Sequence, residues 1–233
     1  MRTASKGGRS STLWIWIGLA ALIVVVGVVA IAVGRSSSSG SDDGGAASSS
    51  GGTVVPNGDL EYGTVTVEGS DLPPAPRGTG SDEGVGETIP TIKGEAFDGS
   101  AVTIAPGGGK GQVIMVVAHW CPHCQAEVPR IQSWLDEDGM PDDVTLTTVA
   151  TANDPTAVNF PAGDWLREEG WSVPTMLDDQ EQTAALAVGT SAYPFFVVVD
   201  ADGKVVERTS GELDRSQWDA LLEAARTGQA DST

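Results

Sequence analysis

Cys121 and Cys124 are the only cysteines in this chain, and they enclose just Pro122 and His123. Thiols three residues apart on a helix can close a small disulfide ring. One attacks a substrate disulfide as the thiolate, and the other resolves the mixed disulfide that results. Two cysteines so few and so near cannot form the framework of a disulfide-stapled scaffold. Haem attachment would need His directly after the second cysteine, where Gln125 stands. A zinc site needs four ligands. The chain's Cys and His residues are His119, Cys121, His123 and Cys124, packed into six positions with no second pair. Neither a metal nor a cofactor is therefore expected.

Such a pair needs elements that hold one sulfur toward solvent and the other beneath it. Gln112 to Ala118 is a short, nearly continuous apolar run, the pattern of a strand buried on both faces. A helix is predicted from Pro122 to Asp138, with Val128, Ile131 and Leu135 recurring on its buried face. Cys121 then sits at the helix N-terminus, where unpaired N–H groups and the dipole favour a thiolate. Pro122 suits the first turn, where its missing N–H is not needed. Histidine changes charge near neutral pH, so His123 is a candidate tuning residue: a cation beside the thiolate stabilises the reduced form and makes the disulfide more oxidising. The plainer reading makes His123 an exposed helix residue. His119 closes the strand and either packs or bonds locally. Trp120 either covers the disulfide or fills core.

Elsewhere the pattern alternates. Ile89–Ile92 and Ala101–Ile104 flank Phe97-Asp98-Gly99-Ser100, a hairpin signal. Strands are expected at Val144–Ala150, Pro174–Leu177 and Phe195–Val199, with a second hairpin through Asp202-Gly203 to Lys204–Arg208. Helices are expected at Phe160–Glu169, Glu181–Val188 and Leu213–Arg226. The sum is an α/β domain over residues 85–228, a central mixed sheet flanked by helices and preceded by an N-terminal β-hairpin. Residues 229–233 form a tail.

The N-terminal third differs in kind. Leu13 to Val33 carries no charge and is long enough as a helix to cross a bilayer. Arg2, Lys6 and Arg9 precede it and only Arg35 follows closely, so residues 1–12 should stay cytoplasmic and the rest lie outside. Ala30-Ile31-Ala32 resembles a signal-peptide cleavage site, but the run is long for one, and an uncleaved anchor over 13–33 is preferred. Residues 34–84, rich in Gly, Ser and Pro, read as a flexible linker, with a possible short strand at Tyr62–Val67. From Ser36 onward the chain has nine Lys/Arg against thirty-two Asp/Glu, which argues against nucleic acid as a partner.

Val116 to Pro129, with Trp120-Cys121-Pro122-His123-Cys124 followed by Glu127 and Pro129, resembles the active site of the TlpA/ResA-like membrane-anchored thioredoxin family. Gly189 to Lys204 is similar to that family's segment around its cis-proline. The resemblance implies a thioredoxin-like fold and a thiol–disulfide oxidoreductase. It makes Cys121 and Cys124 catalytic, Glu127 and Pro122 supporting, and Trp120, Tyr193 and Pro194 substrate-binding, with Tyr193–Pro194 cis and facing the cysteines. It implies exported protein thiols or disulfides as substrates and a membrane redox partner that recycles the pair. Thioredoxin carries a buried acid six positions before its first cysteine, where Met115 stands, so Glu127, water or His123 must handle the proton of Cys124. Cys-Pro-His-Cys matches the oxidase DsbA, which tilts the expectation slightly toward disulfide formation, against reduction of apocytochrome cysteines for instance. A copper-delivery protein would add a distant histidine, and none follows His123. A peroxidase would set Pro-Thr-x-x before its cysteine, where Ala118-His119-Trp120 precede Cys121.

Overall fold

The computed structural model describes residues 59–78 and 80–230. The expected cytoplasmic N-terminus, the 13–33 anchor, the linker as far as residue 58 and the last residues of the tail lie outside them. Among the described residues no helix is long and apolar enough to cross a membrane.

The strands are β1 (Thr66–Glu68), β2 (Thr91–Glu95), β3 (Ala101–Ile104), β4 (Gly111–Val117), β5 (Val144–Ala150), β6 (Thr175–Leu177), β7 (Phe195–Val199) and β8 (Val205–Ser210). The helices are α1 (Pro122–Asp138), α2 (Ala162–Glu168), α3 (Thr183–Ala187) and α4 (Arg215–Thr227). They build one mixed sheet in the order β1-β2-β6-β5-β4-β7-β8, with β3 paired to β2. β4 runs parallel to β5 and antiparallel to β7. This is the thioredoxin-like fold that the sequence predicts, with the antiparallel β2–β3 hairpin before it. At the hairpin turn Gly99 takes φ +80°, and Asp98 Oδ1 accepts from Ser100 N at 2.9 Å.

β4 is apolar on both sides because both sides are covered. Val113, Met115 and Val117 pack with α1, α2 and α4, against Val128, Ile131, Trp165, Leu166 and Trp218. Ile114 and Val116 face the opposite core, against Ile89, Phe195 and Ala184 of α3. Full burial of one such aliphatic side chain contributes about 1.5–3 kcal/mol, so this strand anchors the sheet. Residue α1 starts from is fixed by it.

Three expectations are corrected. The α2 region was expected to be helical from Phe160, but Pro161 is an extended N-cap with φ −76° and ψ 153°, so the helix starts at Ala162. α3 is shorter than expected because Gln182 takes φ +61° immediately before it. Residues 59–84 were read as part of a flexible linker, yet the described part of this stretch packs on the domain. β1 pairs with β2, and Leu72 and Ala75 are buried. Leu72 N and Ala75 N donate to Ala187 O and Gly189 O, both at 2.9 Å.

Arg208 of β8 fastens this strap. Its buried guanidinium donates to Pro73 O (2.8 Å) and Val188 O (3.2 Å) and ion-pairs with Asp82, Nε to Oδ2 being 2.9 Å. Removing one partner of a buried pair leaves the other uncompensated. Arg208→Ala should therefore lower the unfolding free energy by about 3 kcal/mol in guanidinium titrations and open residues 72–84 to protease.

Candidate active site

The site lies where β4 ends. Ala118 to Trp120 link the strand to α1, and Cys121 is the helix N-cap, its O accepting from Gln125 N at 3.0 Å. Pro122 occupies the first turn, as expected, and Pro129 lies inside the helix. The cysteines are free thiols. Cys121 keeps 6% of its surface exposed, while Cys124 is sealed. Burial foremost pushes the Cys124 thiol well above its ordinary range, and the neighbouring Cys121 and Glu127 charges add to it. Cys124 is thus held as the neutral thiol beneath an outer sulfur.

Tyr193–Pro194 is cis and borders the thiols. Cys121 Sγ lies 3.6 Å from Tyr193 O as a donor. The Tyr193 hydroxyl donates to Gln182 Oε1 at 3.1 Å, and its ring meets Trp120 edge-on at 6.0 Å. Trp120 is part-exposed on the rim, not core filling, and its Nε1 donates to Ala152 O at 2.7 Å. Pro194 itself is buried.

His119 does more than pack. It is buried, its Nε2 accepts from Asp154 N at 3.0 Å, and its Nδ1 lies 2.7 Å from Val158 O. A backbone N–H aimed at Nε2 requires the ring to be neutral with its proton on Nδ1. Burial, the largest cause, holds its pKa below the usual value. The ring pins the loop of residues 152–160, a role that no local sequence pattern announces.

Glu127 is fully buried one turn beyond Cys124. Its Oε1 accepts from Leu213 N at 3.0 Å and its Oε2 from Arg130 Nη1 at 2.7 Å. Met115, on β4, is apolar and buried, so Glu127 is the acid whose charge reaches Cys124. His123 is exposed and turned outward, its Nδ1 2.8 Å from Glu212 Oε1. The sequence reading also missed Asp178, a buried carboxylate that accepts from Thr151 Oγ1 (2.7 Å), Ala184 N (2.8 Å) and Ala185 N (3.1 Å). It ties Thr151, just past the end of β5, to the start of α3.

The redoxin family profile matches residues 84–222, more than half of the chain. The chain belongs to the redoxin family. Among similar proteins, the thiol:disulfide interchange protein DsbE of Pasteurella multocida is 28% identical over 115 residues, covering 49% of this chain and 59% of that relative. The thiol-disulfide oxidoreductase ResA of Bacillus thuringiensis is 22% identical over 138 residues, covering 59% of this chain and 76% of that relative. In structure, a DsbF homologue from Corynebacterium diphtheriae superposes with a TM-score of 0.51 at 20% identity, over 67% of this chain and 99% of its own. The match thus spans about three fifths of the length of the DsbE relative.

Glu127 carries a consequence for stability. Burial, the largest cause, raises its carboxyl above the ordinary value against the pull of Leu213 N–H and Arg130. The folded state thus holds this proton more tightly than the unfolded chain. That stabilisation is full below the ordinary carboxylate value and is lost as pH rises through the folded value. Glu127→Gln, which cannot ionise, should lose less stability than the parent across that window, checked by chemical unfolding at a series of pH values.

Proposed function

We propose that the protein exchanges disulfides with exported proteins outside the cytoplasmic membrane, and that it acts there as a reductant. The observation that carries the reading is the contrast between the two sulfurs: Cys121 at the rim beside Tyr193 O, and Cys124 sealed below it. Only Cys121 can meet a substrate sulfur. Its thiolate attacks the substrate disulfide, forming a Cys121–substrate disulfide and releasing one substrate thiolate. Cys124 then gives up its proton and attacks the Cys121 sulfur. The Cys121–Cys124 disulfide forms, the second substrate thiolate leaves, and two electrons have passed to the substrate.

The proton of Cys124 needs a base within the protein, because the thiol is cut off from water and its ionisation is opposed by burial. Glu127 fills that role, since its charge is among those that Cys124 feels. Trp120, Tyr193 and the Tyr193–Pro194 peptide form the edge along which a substrate chain lies. In this reading residues 13–33 anchor the domain with the N-terminus cytoplasmic, and a membrane thiol–disulfide partner returns electrons to Cys121–Cys124.

Reduction is favoured over the oxidation that Cys-Pro-His-Cys had suggested. The premise for oxidation was a His123 cation stabilising the thiolate. That ring instead contacts the Glu212 carboxylate, which offsets its charge. A second carboxylate, Glu127, lies beneath the pair. With that imidazole paired to a carboxylate, the argument for an unusually oxidising disulfide loses its premise. The names of the relatives DsbE and ResA fit the same exchange chemistry.

Cys121→Ser should abolish exchange in an insulin- or glutathione-coupled assay, whereas an active variant would remove Cys121 from the role of nucleophile. Cys124→Ser should instead accumulate mixed disulfides with substrate, visible on non-reducing gels. Equilibration against glutathione should give a reduction potential toward that of thioredoxin, about −270 mV. A value toward that of DsbA, about −120 mV, would reverse the proposed direction.

A further inference from the structure

The contact between His123 and Glu212 is the outer end of a chain of charges that runs inward to the site. Glu212 Oε1 lies 2.8 Å from His123 Nδ1, and its Oε2 accepts from Arg130 Nη2 at 2.8 Å. Arg130 Nη1 donates to Glu127 Oε2 at 2.7 Å and to Leu213 O at 3.2 Å. Leu213 N completes the inner end on Glu127 Oε1 at 3.0 Å. An unbroken chain of polar contacts therefore connects an exposed imidazole to a sealed carboxylate one helical turn past Cys124. Two segments build the chain: α1 supplies His123, Glu127 and Arg130, and the turn between β8 and α4 supplies Glu212 and the Leu213 backbone.

No proton hops along this path, because a guanidinium has only N–H donors and stays charged. What the path carries is electrostatic. One guanidinium is divided between two carboxylates, one buried and one near solvent. Whatever weakens its hold on Glu212 leaves more of it for Glu127.

We propose that Arg130 and Glu212 are positioning residues of the redox site, an ionic bridge through which the charge on His123 governs how readily Glu127 takes the proton of Cys124. This rests on the reading of Cys121–Cys124 as the exchanging pair. In the resolving step the Cys124 S–H bond breaks and its proton passes to a Glu127 oxygen, while the sulfur's electron pair forms the bond to Cys121. The substrate thiolate leaves with the electrons of the broken mixed disulfide.

The groups that face Glu127 are Cys124 and Arg130 on its own helix, and Glu212 with Leu213 N–H from the turn before α4. His123 stands one step further out, against Glu212. After burial, which acts most strongly, Leu213 N–H and Arg130 favour the charged carboxylate and Glu212 opposes it. The two bridge residues thus push in opposite directions, a signature that mere loss of stability does not produce.

The test is the reduction potential of the full-length chain followed against pH, by equilibration with glutathione and thiol trapping. The slope changes where a group coupled to the cysteines titrates, and absence of that break in Glu127→Gln assigns it to Glu127. Glu212→Gln should move the break to lower pH by about one unit, and Arg130→Gln should move it up by at least about as much. Arg130→Lys should restore much of the parent position. Should Arg130→Gln fail to fold, His123→Gln replaces it, with an expected upward shift because Glu212, freed of its imidazole contact, draws more of Arg130 away from Glu127. Breaks that stay at the parent pH, or that move the same way in Glu212→Gln and in the charge-removing variants, overturn the bridge. A pair that never forms a disulfide in the glutathione series overturns the reading of the site itself, and the bridge with it.

Discussion

The structure depends on burial of β4 from both sides. A strand with side chains sunk in two cores cannot shift along its axis without exposing one set and burying gaps on the other. Its end is therefore a fixed point, and the link from Ala118 to Trp120 transfers that fixity to the start of α1. The position of Cys121 relative to Tyr193, the depth of Cys124 and the register of Glu127 one turn later all follow from that point. The cis-proline loop reaches it because β7, which follows at once from Pro194, is paired directly with β4.

The chemistry then comes from a gradient of solvation over one helical turn. Cys121 touches solvent, Cys124 does not, and Glu127 lies sealed beyond it. Thiol and carboxyl respond to burial in the same sense, each favouring its neutral form. Only one of two such neighbours can cheaply carry the negative charge at a time. Arg130 and Leu213 N–H keep the carboxylate from being prohibitively costly, which is how an acid survives at that depth.

Much of this was legible in the sequence because the relevant signals are local. The apolar run of β4, the proline at the first turn of α1 and the spacing of Val128 and Ile131 specify both elements and the Cys121 position. Asp98-Gly99 and Asp202-Gly203 gave both hairpins. What escaped depends on contacts across long separations. His123 reads as a free cation until Glu212, 89 residues away, comes beside it. The strap over residues 59–84 looks like linker because its Gly, Ser and Pro content hides two buried side chains and an aspartate awaiting Arg208. His119 looks inert until the loop of residues 152–160 folds over it.

The way that loop is held has a consequence for how the protein can change. His119 grips it through Val158 O and Asp154 N–H, and Trp120 through Ala152 O. All three of these ties are to main chain, which every residue type but proline supplies in full. The exposed side chains of Pro155 and Val158 are therefore under little obligation to the fold. They can be exchanged while the rim keeps its shape and the sulfurs beneath stay undisturbed.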